Sequence, residues 1–116
     1  MTRKVIIDTD PGHDDAMAIL LAARYFDVLG ITTVHGNQSV DKTTRNALRI
    51  LELGGLTHIP VAKGCATPLV QAPRYAVTAH GESGLDGPDL PEPTIKPVDA
   101  HAVDFLVDTL MAEDER

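Results

Sequence analysis

Short β-branched runs alternate with helix-length segments through the first half of this chain, and that alternation limits the folds open to it. Val5–Ile7 is a brief apolar run ending at Asp8, and Ala16–Ala23 is a continuous stretch of good helix formers. Val28–Val34 is a second apolar run. Val40–Leu53 then carries Ala47, Leu48, Ile50 and Leu51 on one helical face, with Ser39 placed to cap it and Gly54 and Gly55 to stop it. His58–Ala62 reads as a third strand. Strands apolar on both faces, separated by helices, predict an α/β fold: an open, mostly parallel, Rossmann-like sheet with helices on both faces. In such sheets ligands bind at the carboxyl ends of the strands. The turn 8–15 and the segment HGN, 35–37, both fall on that edge.

The second half differs. Residues 63–98 hold six of the eight prolines and show no periodicity, which predicts a loop or lid within the domain. Its centre, AHGESGLDG at 79–87, has three glycines, a histidine and two acids. A helical pattern returns from Asp99 to Met111, with Ala102, Val103, Phe105, Leu106 and Leu110 on or near one face. Three strands leave a sheet edge open, so the 116 residues are expected to be the N-terminal portion of one larger domain.

Composition excludes several classes. A formal charge of −7 without a basic stretch argues against a nucleic-acid polymer or an anionic lipid surface as partner. Only 3% of residues are aromatic and tryptophan is absent, so the core must be aliphatic. Cys65 is the single cysteine, which rules out an intrachain disulfide and a zinc site built on paired cysteines. No signal-peptide pattern or membrane-length apolar stretch is present, and a cytoplasmic location is expected.

The chemistry concentrates in DTDPGHDD. Asp8, Asp10, Asp14 and Asp15 are four carboxylates within eight residues, and no Lys or Arg lies among them. If the strand continued, Asp8 and Asp10 would share a face. One acid at a helix start merely complements the dipole, but four together repel unless something positive sits between them. All-oxygen ligands select a hard divalent ion, calcium or magnesium. An EF-hand loop beginning at Asp8 fails, because its sixth and twelfth positions hold His13 and Ile19. A magnesium-dependent phosphatase of the haloacid dehalogenase type, with Asp8 as nucleophile, fits the outline of a DxD after the first strand. It does not account for the Pro-Gly or the GHDD that follow. A non-catalytic metal-binding module is a further alternative.

DTDPGHDDAMAILLA, 8–22, resembles the N-terminal signature DxDPGxDDA of the inosine–uridine type nucleoside hydrolases. Further pieces recur in order: ITTVHGN at 31–37, TRNAL at 44–48, PVAKG at 60–64 with Pro68-Leu69, HGESGLDG at 80–87 and HAVDFLVDTL at 101–110. The resemblance covers nearly the whole chain. ARYFDVLG looks shorter than the family's connection between first helix and second strand. Family members are also considerably longer, with later segments carrying further metal and ribose ligands.

The resemblance implies hydrolysis of the N-glycosidic bond of ribonucleosides to ribose and free base, by a calcium-bound water activated by Asp10. It implies Asp10 and Asp15 as calcium ligands. Asp14 and Asn37 would bind the sugar, Asn37 or else the metal's water, and His80 would face the base. Glu82 is a weaker candidate in the same loop, and Asp8 would orient the turn. A ribonucleoside substrate and a homo-oligomer are the expected partners. His35, His58 and His101 read as surface or turn residues, and Cys65 as a small buried or loop residue with no sign of a nucleophile.

Overall fold

The computed structural model describes residues 2–36, 38–70 and 91–113; for His13 the backbone alone is described. Strand β1 (Lys4–Thr9) leads into helix α1 (His13–Tyr25), strand β2 (Asp27–Thr33), helix α2 (Val40–Leu53), strand β3 (Val61–Lys63) and helix α3 (Ala102–Ala112). The strands form one parallel sheet in the order β1-β2-β3. The α/β architecture expected from the alternation is present, with helices on both faces.

Register decides which residues meet which layer. Val5 pairs with Val28 but Ile6 pairs with Gly30, so Leu29 is an extra residue bulged out of β2. Beyond the bulge, Ile7 pairs with Ile31 and Thr9 with Thr33, on the face covered by α1 and α2. The alternate pairs, Ile6 with Gly30 and Asp8 with Thr32, lie on the face covered by α3. Gly30 supplies the notch that α3 needs. A Cβ there would sit against the Phe105 ring, its Cε2 only 2.7 Å away.

The core lies between the sheet and the α1/α2 layer. Ile19, Val28, Ile31, Ala47, Leu48, Ile50, Leu51, Ile59 and Val61 are buried together, with Val5, Ile7, Ala16 and Leu20 packed against them. It is aliphatic, as the shortage of aromatics requires. Burying one such side chain fully contributes about 1.5–3 kcal/mol. Ser39 caps α2 by accepting from the Lys42 amide at 3.4 Å, and Gly54 ends it. Gly55 follows at φ 68°, the left-handed region that glycine tolerates. No helix among the described residues is long and apolar enough to cross a membrane.

Two elements depart from expectation. The third strand is Val61–Lys63 rather than His58–Ala62. The Ile59 amide turns back to the Leu56 carbonyl, and Pro60 has no amide to offer, so the ladder starts later. In α3 only Ala102 is fully buried; Val103, Val107, Leu110 and Met111 are exposed. Of the apolar face read from the sequence, Ala102 is buried, Phe105 and Leu106 are half-buried, and Val103 and Leu110 are exposed.

Outside a single parallel bridge between Ala62 and Val98, the described parts of 63–98 form no strand or helix beyond β3's last residue. The centre of that loop, 71–90, lies outside the described residues.

Candidate active site

The three strands end together at Thr9, Thr33 and Lys63, and the loops beyond them are tied across the sheet edge. The Val34 amide donates to the Thr9 carbonyl and the His35 amide to the Cys65 carbonyl, both at 3.2 Å. Behind this edge the first turns of α2 are polar although buried. Thr43 Oγ1 donates to the Val34 carbonyl at 2.9 Å, and the Thr33 and Thr44 hydroxyls share a hydrogen bond at 2.7 Å. Asn46 Nδ2 reaches the Pro11 carbonyl at 3.4 Å, so α2 holds the acidic turn from below. These polar positions interrupt a face read as Ala47, Leu48, Ile50 and Leu51. Asn46 was missed for that reason, and its one signal was a place within TRNAL.

Strand β1 stops at Thr9, so Asp10 is not a strand residue and does not share a face with Asp8 by alternation. Asp8 stays in the ladder, where its Oδ1 accepts from Thr32 Oγ1 at 2.7 Å. Asp10 instead lies in the turn, against Gly36. A Cβ at Gly36 would overlap the Asp10 carboxylate, with Cγ at 2.7 Å and Cβ at 2.9 Å. Bare backbone on the β2 side therefore fixes where the Asp10 carboxylate sits.

Helix α1 opens at Gly12, which supplies no side-chain cap, and carries Asp14 and Asp15 in its first turn. Asp15 Oδ2 accepts from Thr9 Oγ1 at 2.9 Å, folding the helix start back onto the strand end. Asp10 and Asp15 are thereby brought into side-chain contact. Burial pushes the Asp15 carboxyl above its ordinary value of 3.8, the Thr9 hydroxyl opposes that shift, and Asp10 and then Asp14 add to it. Asp14 itself is exposed. Of the five residues assigned to the site from sequence, the structure brings Asp10, Asp14 and Asp15 to one place; Asn37 and His80 lie outside the described residues.

Two carboxylates meeting beside the positive end of a helix, with a third near them, form a donor set suited to a hard cation. It is a partial set, because among the described residues no group of three or more His, Cys, Asp or Glu converges as a metal cage. Elsewhere on the same edge, His101 does more than a surface residue would. Its Nδ1 caps α3 by accepting from the Val103 amide at 3.1 Å, and its Nε2 lies 3.9 Å from the exposed Cys65 sulfur.

The model of the inosine-uridine preferring nucleoside hydrolase family matches residues 5–116. A pyrimidine-specific ribonucleoside hydrolase, RihA of Photobacterium profundum, is 51% identical over 112 residues, which cover 95% of this chain and 36% of that protein. Among solved structures, the purine-preferring ribonucleoside hydrolase of Gardnerella vaginalis superposes with a TM-score of 0.89 at 31% identity, over 95% of this chain and 37% of the other. The plant nucleoside hydrolase PpNRh1 superposes with a TM-score of 0.85 at 41% identity, over 96% and 36%. The chain thus spans a little over a third of the length of these relatives. With the acidic turn, the glycine-backed Asp10 and the sheet edge all in place, the chain belongs to the inosine-uridine preferring nucleoside hydrolase family.

Proposed function

We propose that this chain supplies the acidic half of an active site that hydrolyses the N-glycosidic bond of ribonucleosides. The reading rests on one observation: Asp10 and Asp15 meet at the carboxyl edge of the sheet, Asp10 seated on Gly36 and Asp15 held by Thr9. Asp10 and Asp15 are the residues to hold a calcium ion. Bound there, the ion would supply positive charge that acidifies water and attracts the sugar hydroxyls.

The chain's own residues carry the rest. Asp10 takes a proton from the attacking water, a task open to a weak carboxylate base once the water is acidified. Asp14, exposed at the start of α1, accepts hydrogen bonds from a ribose hydroxyl, and Asn37 assists at the water or the sugar. As the bond to the base breaks, positive charge grows on the sugar ring, and the nearby carboxylates stabilise it. His80 faces the departing base. The substrate is a ribonucleoside, the site is that of a cytoplasmic enzyme, and the working form is a homo-oligomer.

The test uses a full-length hydrolase carrying this sequence as its N-terminal third. Asp10→Ala should abolish nearly all turnover, whereas Asp15→Ala should chiefly weaken calcium binding in calorimetry. Near-normal nucleoside hydrolysis by Asp10→Ala would remove the acidic turn from catalysis. The 116-residue chain alone should release no measurable base, since it spans only about a third of its relatives.

A further inference from the structure

The Asp10 carboxylate rests on Gly36, so whatever fixes the exit of β2, residues 34–36, also fixes Asp10. That exit is held from several sides. From the β1 side the Thr9 carbonyl accepts the Val34 amide at 3.2 Å, and from below Thr43 Oγ1 donates to the Val34 carbonyl at 2.9 Å. Ahead of the exit, the Gly36 amide donates to the Gln38 carbonyl at 3.0 Å. The remaining hold comes from β3, where the Cys65 carbonyl accepts the His35 amide at 3.2 Å. This bond lies beyond the ladder, whose last pair is Thr33 with Lys63. Cys65 reaches His35 only because the chain leaving β3 stays close along β2 through Gly64. A Cβ at Gly64 would overlap the Thr33 carbonyl oxygen and stand 3.1 Å from the Ala102 Cβ. The first obstacle is backbone, which has no rotamer through which to escape. The second is the buried first residue of α3. Gly64 has no positive φ, so the site demands glycine for space and not for backbone conformation.

We propose that Gly64 is a positioning residue for Asp10. By letting the β3 exit lie against the Thr33 carbonyl, it brings the Cys65 carbonyl to the His35 amide and so steadies Gly36, the next residue along. The proposal rests on Asp10 as the base of the reaction described above. A side chain at position 64 pushes the β2 and β3 exits apart. The bond between His35 and Cys65 opens first, because 3.2 Å is already the long end of the usual range. Gly36 is one residue beyond that bond, so the backbone under the Asp10 carboxylate shifts with it. Strand β1 and helix α1, which carry Asp10 and Asp15 on either side of the turn, are not touched by the added methyl.

Two variants of a full-length hydrolase carrying this sequence separate positioning from mere packing. Gly64→Ala and Gly30→Ala both press a methyl on α3, at Ala102 in the first and at the Phe105 ring in the second, and both should lower the urea midpoint. Only Gly64→Ala touches the strand exits. Its kcat should fall about ten-fold or more, since a 1 Å misplacement of a reacting group costs on the order of 100-fold. Its calcium affinity in calorimetry should weaken as well, while Gly30→Ala keeps both. Hydrogen exchange gives a readout that needs no turnover: the His35 amide should be protected in the parent and in Gly30→Ala, and exposed in Gly64→Ala. A parent whose His35 amide exchanges as freely as an open loop would overturn the proposal even if Gly64→Ala failed to fold. So would a folded Gly64→Ala that kept its kcat and calcium affinity, or an equal loss of both in Gly30→Ala. Asp10→Ala distinguishes the two levels of failure. Near-normal turnover by Asp10→Ala removes the base and this proposal together; an inactive Asp10→Ala beside a fully active Gly64→Ala removes the role of Gly64 alone.

Discussion

The placement of Asp10 by Gly36 makes a one-atom perturbation informative. An alanine at position 36 brings its Cβ to 2.7 Å from Asp10 Cγ and 2.9 Å from Asp10 Cβ, where ordinary contact begins at 3.4 Å. The Cγ shortfall is 0.7 Å (3.4 − 2.7), and the carboxylate oxygen Oδ2 lies nearer still, so the carboxylate must retreat by more than that. The backbone does not oppose the change, since Gly36 does not adopt a positive φ. Gly36→Ala should therefore fold, at a cost of up to about 1–3 kcal/mol for the added methyl. Displacing a reacting group by about 1 Å costs on the order of 100-fold in rate. With Asp10 as the base proposed above, turnover in a full-length hydrolase carrying this sequence should fall by roughly that factor. Gly55→Ala is the matched control. Nothing lies within 4 Å of its added Cβ, but its φ of 68° strains any L residue. It should lose about 1 kcal/mol of stability and keep its rate. Steady-state hydrolysis and urea denaturation on both variants separate the two effects. If Gly36→Ala turned over within a few-fold of the parent, glycine would not be setting the position of the base.

Gly30→Val drives two methyls into the Phe105 ring and should cost about 1–3 kcal/mol or detach α3, read as a lower urea midpoint. Asn46→Ala removes the hydrogen bond to the Pro11 carbonyl, and should lose about 1 kcal/mol and loosen calcium binding in titration calorimetry. Glu52 accepts from the Thr94 amide and hydroxyl and the Ile95 amide, hydrogen bonds that pull its carboxyl below the ordinary 4.5. A depressed carboxylate stabilises the fold above its unfolded value and loses that contribution as pH falls through the folded one. The stability gap between the native chain and Glu52→Gln should hold steady above about pH 5.5 and close as pH drops below 4.5. A gap that widened on acidification would contradict the clamp.

The alternation of runs revealed the sheet because burial on both faces leaves no other use for segments such as VLGITT. Helix α2 was legible to the residue, since Ser39 and Gly54 mark its ends chemically and its apolar face is narrow. The bulge at Leu29 was not, because a strand with apolar residues on both faces looks the same in either register. Nor was the depth of α3. Periodicity identifies which side of a helix is apolar, while how much of that side is covered depends on neighbours such as the notch at Gly30. At the site, the cluster of four acids stood out in the sequence, and the resemblance singled out Asp10 and Asp15 among them. Their supports, Thr9, Gly36 and Asn46, were not legible, because each acts through a contact across a fold that the local sequence does not display.

Those supports share a chemical logic. Asp8 is held by the hydroxyl of Thr32, Asp15 by the hydroxyl of Thr9, and Asp10 by the absence of a side chain at Gly36. A lysine or arginine would fix a carboxylate more firmly, yet it would also cancel its charge. A threonine hydroxyl occupies one lone pair and leaves the charge in place. Glycine gives position with no chemical contribution at all. Lys4 with Glu113, Arg45 and Arg49 with Glu92, and Lys63 with Asp41 form ion pairs away from the turn. A purely structural turn has no reason to keep Asp15 half-buried with Asp10 against it, where burial and like charge both penalise ionisation. On the function proposed above, the arrangement is one that takes up positive charge: a divalent ion, and the sugar cation that would develop as the glycosidic bond opens.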